Sequence, residues 1–379
     1  MIKVCYTVDA PYAGGSERYI ALIAGALDRT HFEPYVLAKR GPGLNEWCRD
    51  LERKDVEVLD AEMGLPFRPL DAIGIIRALL RISPDIVHVN VPGPYDGQMG
   101  LLAPISRLCG GSRVVVTEHL PMVEKLWKRA FVKGISYRWV DKVLTVCNAN
   151  IPYLIERQKI SAAKIRVIPN ALPQNYGLKA VPKRKTTRET LALPDNVIGL
   201  AVVGSLIERK GLPVLLDALV PLMDLSWMLF VAGEGEKRQT YERLVNELQI
   251  RDRVRFLGHI SGNGVERLLC AMDVLVLPSF MEAMPYVILE AMACGLPVVA
   301  SRIFGIPEMV GDESTAFLVP PGDTGGLSEG LRKVLTSPEL RRRMGKSARN
   351  RFEKYFTLDK QIAAIHSTYF ELIGMRTNG

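Results

Sequence analysis

Two glutamates eight residues apart, Glu282 and Glu290, flank a proline and the start of an apolar helical run. The local order is a buried-type strand, Val274–Leu277, then Pro278-Ser279, a short loop with Glu282, Pro285, a helix stopping at Gly295, and a second strand, Val298–Ala300. Proline suits the first turn of a helix, where its missing N–H would be unpaired anyway. Glycine suits the position after the last turn. A helix that begins just behind a strand offers free N–H groups and a partial positive charge, a setting for phosphate. Glu290, inside that helix, has the chemistry to accept hydrogen bonds from two neighbouring ribose hydroxyls. Glu282 cannot share its turn and belongs in the preceding loop, nearer the sugar end of such a ligand. The competing reading is two solvated glutamates beside a core helix. The combined strand, loop, proline, helix and glycine argue against it.

A second stretch, Val202 to Gly211, follows another strand and holds Gly204, Ser205, Arg209 and Lys210. Gly204 permits close backbone approach. Arg209 and Lys210 fall where a helix begins, and two cations there neutralise a diphosphate; the plain alternative is a solvated turn. Near the N-terminus, Gly14-Gly15-Ser16-Glu17 lies between a strand and a helix, with Ser16 as the expected N-cap. His119 ends the strand-like run Val114–Thr117, and Asn90 ends Ile86–Val89. Residues at the carboxyl ends of parallel strands are the ones that meet ligands, so Asn90 is an acceptor-side candidate, and Glu17, beside the glycine loop, is a second. His88, within its strand, reads as an interior residue.

The elements that must carry these groups alternate along the chain. Strand-like runs at Ile2–Val8, Tyr35–Ala38, Val56–Leu59, Ile86–Val89, Arg113–Thr117, Lys142–Val146 and Ile165–Ile168 are separated by helical stretches such as Ser16–Leu27, Asp71–Ile82 and Gln98–Leu108. The region Pro169–Pro194, with four prolines and the basic Lys183-Arg184-Lys185, reads as a linker. Alternation resumes at Val197–Val203, Trp227–Ala232, Val254–Leu257, Val274–Leu277, Val298–Ala300 and Phe317–Val319. The fold class is therefore α/β, with two Rossmann-like doubly wound domains. Expected bounds are 1–180, 181–356, and a C-terminal helical segment, 357–379, packing back on the N-terminal domain. A length of 379 residues fits two domains.

Composition narrows the classes. With 48% apolar and 24% charged residues, the chain reads as globular rather than disordered. No apolar run approaches the ~20 residues that span a bilayer, and the N-terminus lacks the shape of a signal peptide. The six cysteines, Cys5, Cys48, Cys109, Cys147, Cys270 and Cys294, form no CxxC pair; a reducing cytoplasm is the simplest location. Of the +8 net charge, +6 lies before Val181. Within 124–142, six Lys and Arg face two acids, interleaved with Trp127, Phe131, Tyr137 and Trp139. That segment is either an interfacial helix on an anionic membrane, at its inner face, or a helix with one buried aromatic face and one solvated basic face. No signature of nucleic-acid binding accompanies the charge, so nucleic acid is not an expected partner.

The two central stretches resemble glycosyltransferase family 4, enzymes of the GT-B type in which two Rossmann-like domains face a central cleft. Glu282 and Glu290 match the family's E-x7-E motif. Gly204 to Gly211 resembles its G-R-L-x-x-x-K-G motif, with Ser205 in place of the usual arginine. Further family-like segments are Gly233-Glu234-Gly235, Arg253–Gly258, Gly305-Ile306-Pro307-Glu308 and Val319–Asp323. The resemblance implies a retaining, hexosyltransferase-type enzyme that moves a sugar from a nucleotide diphosphate to a saccharide or lipid-linked acceptor in polysaccharide biosynthesis. Catalytic roles fall on His119, Glu282 and Lys210. Glu290 binds ribose, Glu282 the transferred sugar, Lys210 the diphosphate, and Gly15 offers a phosphate its N–H. Ser205, Arg209, Ala283, Met284, Tyr286 and Val287 complete the donor set. His119 meets the sugar through its ring and backbone carbonyl.

No cofactor or metal is expected. The chain contains no D-x-D triplet, the carboxylate pattern that holds a divalent ion to a diphosphate. Three rivals stay open: a nucleotide-sugar epimerase or hydrolase on the same fold, a dinucleotide-dependent dehydrogenase, and a degenerate binding-only relative. The dehydrogenase lacks a G-x-G-x-x-G behind any strand.

Overall fold

The computed structural model describes residues 1–61, 69–93, 99–120, 133–260 and 263–375. The chain folds as two compact units, Met1–Asn170 with Leu358–Gly379, and Ala171–Thr357.

The first unit holds a seven-stranded sheet: β1 (Ile2–Val8), β2 (Phe32–Ala38), β3 (Glu57–Asp60), β4 (Ile86–Val91), β5 (Arg113–Glu118), β6 (Lys142–Thr145) and β7 (Ile165–Val167). Its order is β3-β2-β1-β4-β5-β6-β7, with every pairing parallel. β4 is buried along its whole length, as a central parallel strand with both faces covered must be. This is why Ile86–Val89 is apolar at every position but His88, which is buried with the rest. The strand order reverses between β1 and β4, the topological switch point where such sheets open a crevice. The loop after β1, and Asn90 near the end of β4, flank it.

Helix Leu358–Ile373 packs on this unit. Its Tyr369 hydroxyl donates to the Tyr6 hydroxyl at 3.1 Å and lies 2.6 Å from Nδ1 of His88. Gln361 donates to the carbonyl of Pro169 at 2.7 Å.

The second unit has six strands: β8 (Ile198–Val203), β9 (Trp227–Ala232), β10 (Val254–Gly258), β11 (Val274–Leu277), β12 (Val298–Ser301) and β13 (Ala316–Val319). The order is β10-β9-β8-β11-β12-β13, again all parallel, and it reverses between β8 and β11. The two motif stretches are the loops that follow these two adjacent strands. A core of Leu216, Trp227, Val231, Val276, Leu331 and others, all nearly inaccessible, sits beneath them. Cutting such a leucine to alanine typically costs about 2–5 kcal/mol.

The stretch read as a linker is folded. It contains a helix, Arg184–Thr190, whose Arg188 is buried and bonds to the carbonyls of Ala271, Pro194 and Val197 and to Asp273. The basic cluster concealed this, because the helix packs through guanidinium hydrogen bonds rather than an apolar stripe.

Candidate functional site

In the second unit the loops after β8, β9 and β11 interlock by glycine. Gly233 has φ +147°, and a Cβ there would lie 1.9 Å from the carbonyl oxygen of Gly204. Gly211, at φ +66°, would place one 2.1 Å from the carbonyl oxygen of Pro278. Only glycine combines that backbone with that proximity. The amide of Phe280 donates to the carbonyl of Arg209 at 2.8 Å, and Nη1 of Arg209 donates to the carbonyl of Met281 at 3.0 Å. The turn after β8 is thus docked on the tail of β11.

That docking brings Lys210 and Glu282 together as a hydrogen-bonded ion pair. Arg209 lies 3.9 Å from the same carboxylate oxygen, and Ser279 donates to it at 3.1 Å. Glu282 is buried, while Arg209 and Ser205 are exposed. Ser205, Gly204 and Lys210 also line a small recess with Leu206, Tyr241 and Leu277.

Three residues beyond Glu282, Pro285 caps helix Tyr286–Ala293 at φ −70° and ψ 129°. Proline stands one position before the first helical residue, where its fixed φ fits and the helix does not need its missing N–H. The helix ends at Gly295, φ +71°, whose amide bonds to the carbonyl of Met292, while Leu296 bonds back to Ala291. These two bonds satisfy the last carbonyls. Ala283, Met284, Tyr286 and Val287 are all buried around the start of the helix.

Glu290 is on this helix, 4% exposed, and its Oε1 accepts from the Tyr176 hydroxyl at 2.7 Å. Tyr176 is held by its backbone, since Arg349 donates to the carbonyls of Tyr176, Gln174 and Ala293. A larger cavity of about 490 Å³ lies elsewhere in the unit, lined by Thr186, Thr187, Thr190, Ile260 and Arg267. None of the sequence-derived site residues lines it.

The first unit positions a separate group. His119 follows β5; its amide bonds to the carbonyl of Val91 at 3.1 Å. Its Nε2 is 2.7 Å from Oδ1 of Asn90, and the Tyr19 ring lies edge-on with centroids 4.8 Å apart. Asn150 donates to the carbonyl of His119 at 3.2 Å. Burial lowers the His119 pKa to about 3, so the ring is neutral at pH 7. His88 lies in the interior, with Nε2 2.6 Å from the Thr117 hydroxyl; burial, then the neighbouring His119, lowers its pKa to about 3.

The glycine loop differs from the expected cap. Gly14, not Ser16, is the N-cap of helix Gly15–Ala26. Lacking a side chain, Gly14 is served by Glu17, whose Oε2 accepts from the Gly14 amide at 2.9 Å and whose Oε1 accepts from the Ser16 hydroxyl at 2.7 Å. Gly15 is exposed at the head of this helix. Asp9, where the loop leaves β1, has its pKa raised to about 6 by burial and by the Glu17 charge.

The segment 124–142 lies outside the described residues up to 132. Beyond that, Lys133 is buried and pairs with Glu118 at 2.7 Å, and Tyr137 also bonds to Glu118. Ile135 and Trp139 are exposed. Two members of the expected solvated and aromatic pattern therefore belong to a buried polar cluster.

Reading by motif missed Tyr176, Ser279, Asn150 and Arg349. Ser279 and Asn150 stand just past strand ends, so the rule that ligands meet strand tails could have flagged them. Tyr176 and Arg349 left no such signal.

The model for the family described as Glycosyl transferases group 1 matches residues 183–351, and that for Glycosyltransferase Family 4 matches 13–175. The chain is 34% identical to the D-inositol 3-phosphate glycosyltransferase of Saccharomonospora viridis, over 90% of this chain and 86% of that protein. It is 26% identical to the Escherichia coli UDP-Gal:alpha-D-GlcNAc-diphosphoundecaprenol alpha-1,3-galactosyltransferase, covering 98% and 97%. Among solved structures, the Anabaena protein HepE in complex with UDP-glucose superposes with a TM-score of 0.83 at 19% identity, covering 98% of this chain and all of that one. A glycosyltransferase from Rickettsia africae gives 0.84 at 20%, covering 100% and 99%.

Proposed function

We propose that this chain, which belongs to glycosyltransferase family 4, transfers a sugar from a nucleotide diphosphate to an acceptor hydroxyl with retention of anomeric configuration and without a metal ion. That it is a glycosyltransferase of the GT-B type, with two Rossmann-like domains, follows from the family and the fold. The finer reading rests on one observation: Lys210, Glu282 and the head of helix Tyr286–Ala293 converge at the β8/β11 switch point, with Glu290 within the helix.

In this reading the diphosphate lies between Lys210, Arg209 and the first N–H groups of the helix. Ser205, Ala283, Met284, Tyr286 and Val287 border it, and Gly15 adds an amide. Fixed cations and amides there stabilise the charge that builds on the leaving group. Glu290 holds the ribose, Glu282 a hydroxyl of the sugar, and His119 another. The bond from the anomeric carbon to the phosphate oxygen breaks as the acceptor oxygen attacks from the same face. The departing phosphate oxygen takes the acceptor's proton. The absence of a D-x-D triplet supports a charge balance supplied by Lys210 and Arg209.

The acceptor is proposed to be a saccharide or lipid-linked saccharide of polysaccharide assembly, since the E. coli relative's name includes a diphosphoundecaprenol acceptor. A cytoplasmic setting at the inner membrane face, reached through 124–142, accompanies that proposal. No helix of the described residues is long and apolar enough to cross a membrane.

The decisive experiment is a thermal-shift screen against UDP-, GDP-, ADP- and dTDP-sugars. It is followed by transfer to lipid-linked acceptors in the presence of EDTA, with the anomeric configuration of the product read by NMR. An inverted product, or turnover abolished by EDTA and restored by a divalent ion, would overturn the corresponding part of the reading. Donor turnover without acceptor, to an epimer or free sugar, would favour the rival chemistry. Sedimentation with anionic vesicles at low salt tests the membrane surface, and no binding rejects it.

A further inference from the structure

Asn90 sits between the glycine loop and His119. Its Nδ2 lies 3.3 Å from the carbonyl oxygen of Ser16, and its Oδ1 lies 2.7 Å from Nε2 of His119. A backbone carbonyl only accepts, so Ser16 dictates which way the amide faces: NH₂ toward Ser16, oxygen toward the imidazole. The reversed amide would set oxygen against oxygen. An amide oxygen also only accepts, so the nitrogen facing it must carry the proton. His119 is neutral, and its proton is therefore on Nε2. Nδ1 then keeps its lone pair, and among the described residues it takes no hydrogen bond.

We propose that Asn90 is a positioning residue that locks His119 as the Nε2–H tautomer, leaving Nδ1 to accept a hydrogen bond from a hydroxyl of the transferred sugar. The inference rests on the transfer reading above and assigns the polarity of one contact within it. It makes His119 an acceptor rather than a donor. The site then favours a sugar with a hydroxyl at that position over one with an ether or fluorine there. The surroundings hold the ring in place: the Tyr19 ring lies edge-on to it, and Asn150 bonds to the His119 carbonyl while also donating to the Thr145 hydroxyl at 2.9 Å. Asn90 and His119 are both nearly inaccessible, so water does not compete for the Asn90 contact.

The test is long-range ¹H–¹⁵N NMR of the imidazoles in the full-length chain, with the His119 signals assigned by their loss in His119→Gln. The expected result is a protonated, pyrrole-type Nε2 and an unprotonated, pyridine-type Nδ1. In Asn90→Leu both tautomers should be populated and kcat should fall roughly tenfold, the scale of one neutral hydrogen bond, with donor KM little changed. A pyrrole-type Nδ1 in the wild-type protein overturns the tautomer assignment. An Asn90→Leu enzyme with mixed tautomers and undiminished kcat overturns its role in transfer. Failure of the wild-type protein to transfer from any nucleotide sugar would sink the transfer reading instead, and would leave the NMR result standing as a separate fact.

Discussion

The hydroxyl of Tyr176 donates to Oε1 of Glu290 across 2.7 Å, joining residues 114 positions apart. Arg349 fixes that tyrosine through its own carbonyl and also bonds the carbonyl of Ala293, in the last turn of the Glu290 helix. One guanidinium therefore holds both the backbone of Tyr176 and the last turn of the helix that carries Glu290. Tyr176→Phe keeps the ring and removes this one hydrogen bond to the carboxylate. On the proposed ribose contact, donor KM is expected to rise at least about tenfold, near the low end for a hydrogen bond to a charged group, with kcat changed far less. Initial-rate kinetics over donor concentration check this, and an unaltered KM would refute a role for this bond in donor binding.

Lys210 and Glu282 lie in the interlocked loops, and each is the other's main charge partner. Lys210→Ala and Glu290→Ala are each expected to lower kcat/KM for the donor by an amount equivalent to about 2–5 kcal/mol, the usual cost of truncating a partner in a desolvated polar contact. Lys210→Ala leaves Glu282 with Ser279 and the more distant Arg209, so the protein should remain folded. Calorimetric titration with the nucleoside diphosphate separates lost binding from lost turnover. Near-wild-type affinity in both variants would remove the donor site from this loop cluster.

How much of this could be read along the chain depends on the range of each contact. The strands were legible because central parallel strands, buried on both faces, show as apolar runs; β9 and β11 occupy the spans expected of them. The meeting of the loops after β8 and β11 followed from the rule that ligands gather at strand tails. Tyr176 was hidden in a proline-rich stretch, since its partner lies a domain's length away and no periodicity marks such a pair. Helix Arg184–Thr190 was hidden for a related reason: Arg184 and Arg188 both reach Asp273, a part-buried polar contact that resembles surface charge in sequence. The cap at Gly14 defied the preference for serine because a glutamate three residues on does the capping.

Glycines at the loop cluster offer a test of packing separate from charge. Gly211→Ala and Gly233→Ala would each force a methyl against a carbonyl oxygen from a left-handed or strained backbone. Each is expected to destabilise the second unit by at least about 2 kcal/mol and to weaken donor binding with it. Gly74→Ala is the contrast. It lies inside helix Pro69–Ile82 with nothing within 4 Å of its added methyl, so it should stabilise by about 0.5–1 kcal/mol. Urea unfolding followed by tryptophan fluorescence reads both effects. Equal behaviour of the three variants would mean the loops are not held as described.

His88 and His119 make the first unit acid-sensitive. Burial lowers each pKa to about 3 in the folded chain, against about 6.5 when unfolded. Between those values the unfolded chain binds more protons, so the contribution to stability is complete above pH 6.5 and shrinks as the pH falls toward 3. From pH 7 to pH 5 each histidine should cost about 2 kcal/mol of folding free energy. The two add imperfectly, because the charge on one raises the cost of charging the other. His88→Gln keeps a polar side chain between Tyr369 and Thr117 but cannot take up a proton. Its urea midpoint should therefore move less between pH 7 and pH 5 than that of the wild-type protein. A variant whose midpoint moves as far as the wild type's would show that the buried imidazole is not what acid attacks.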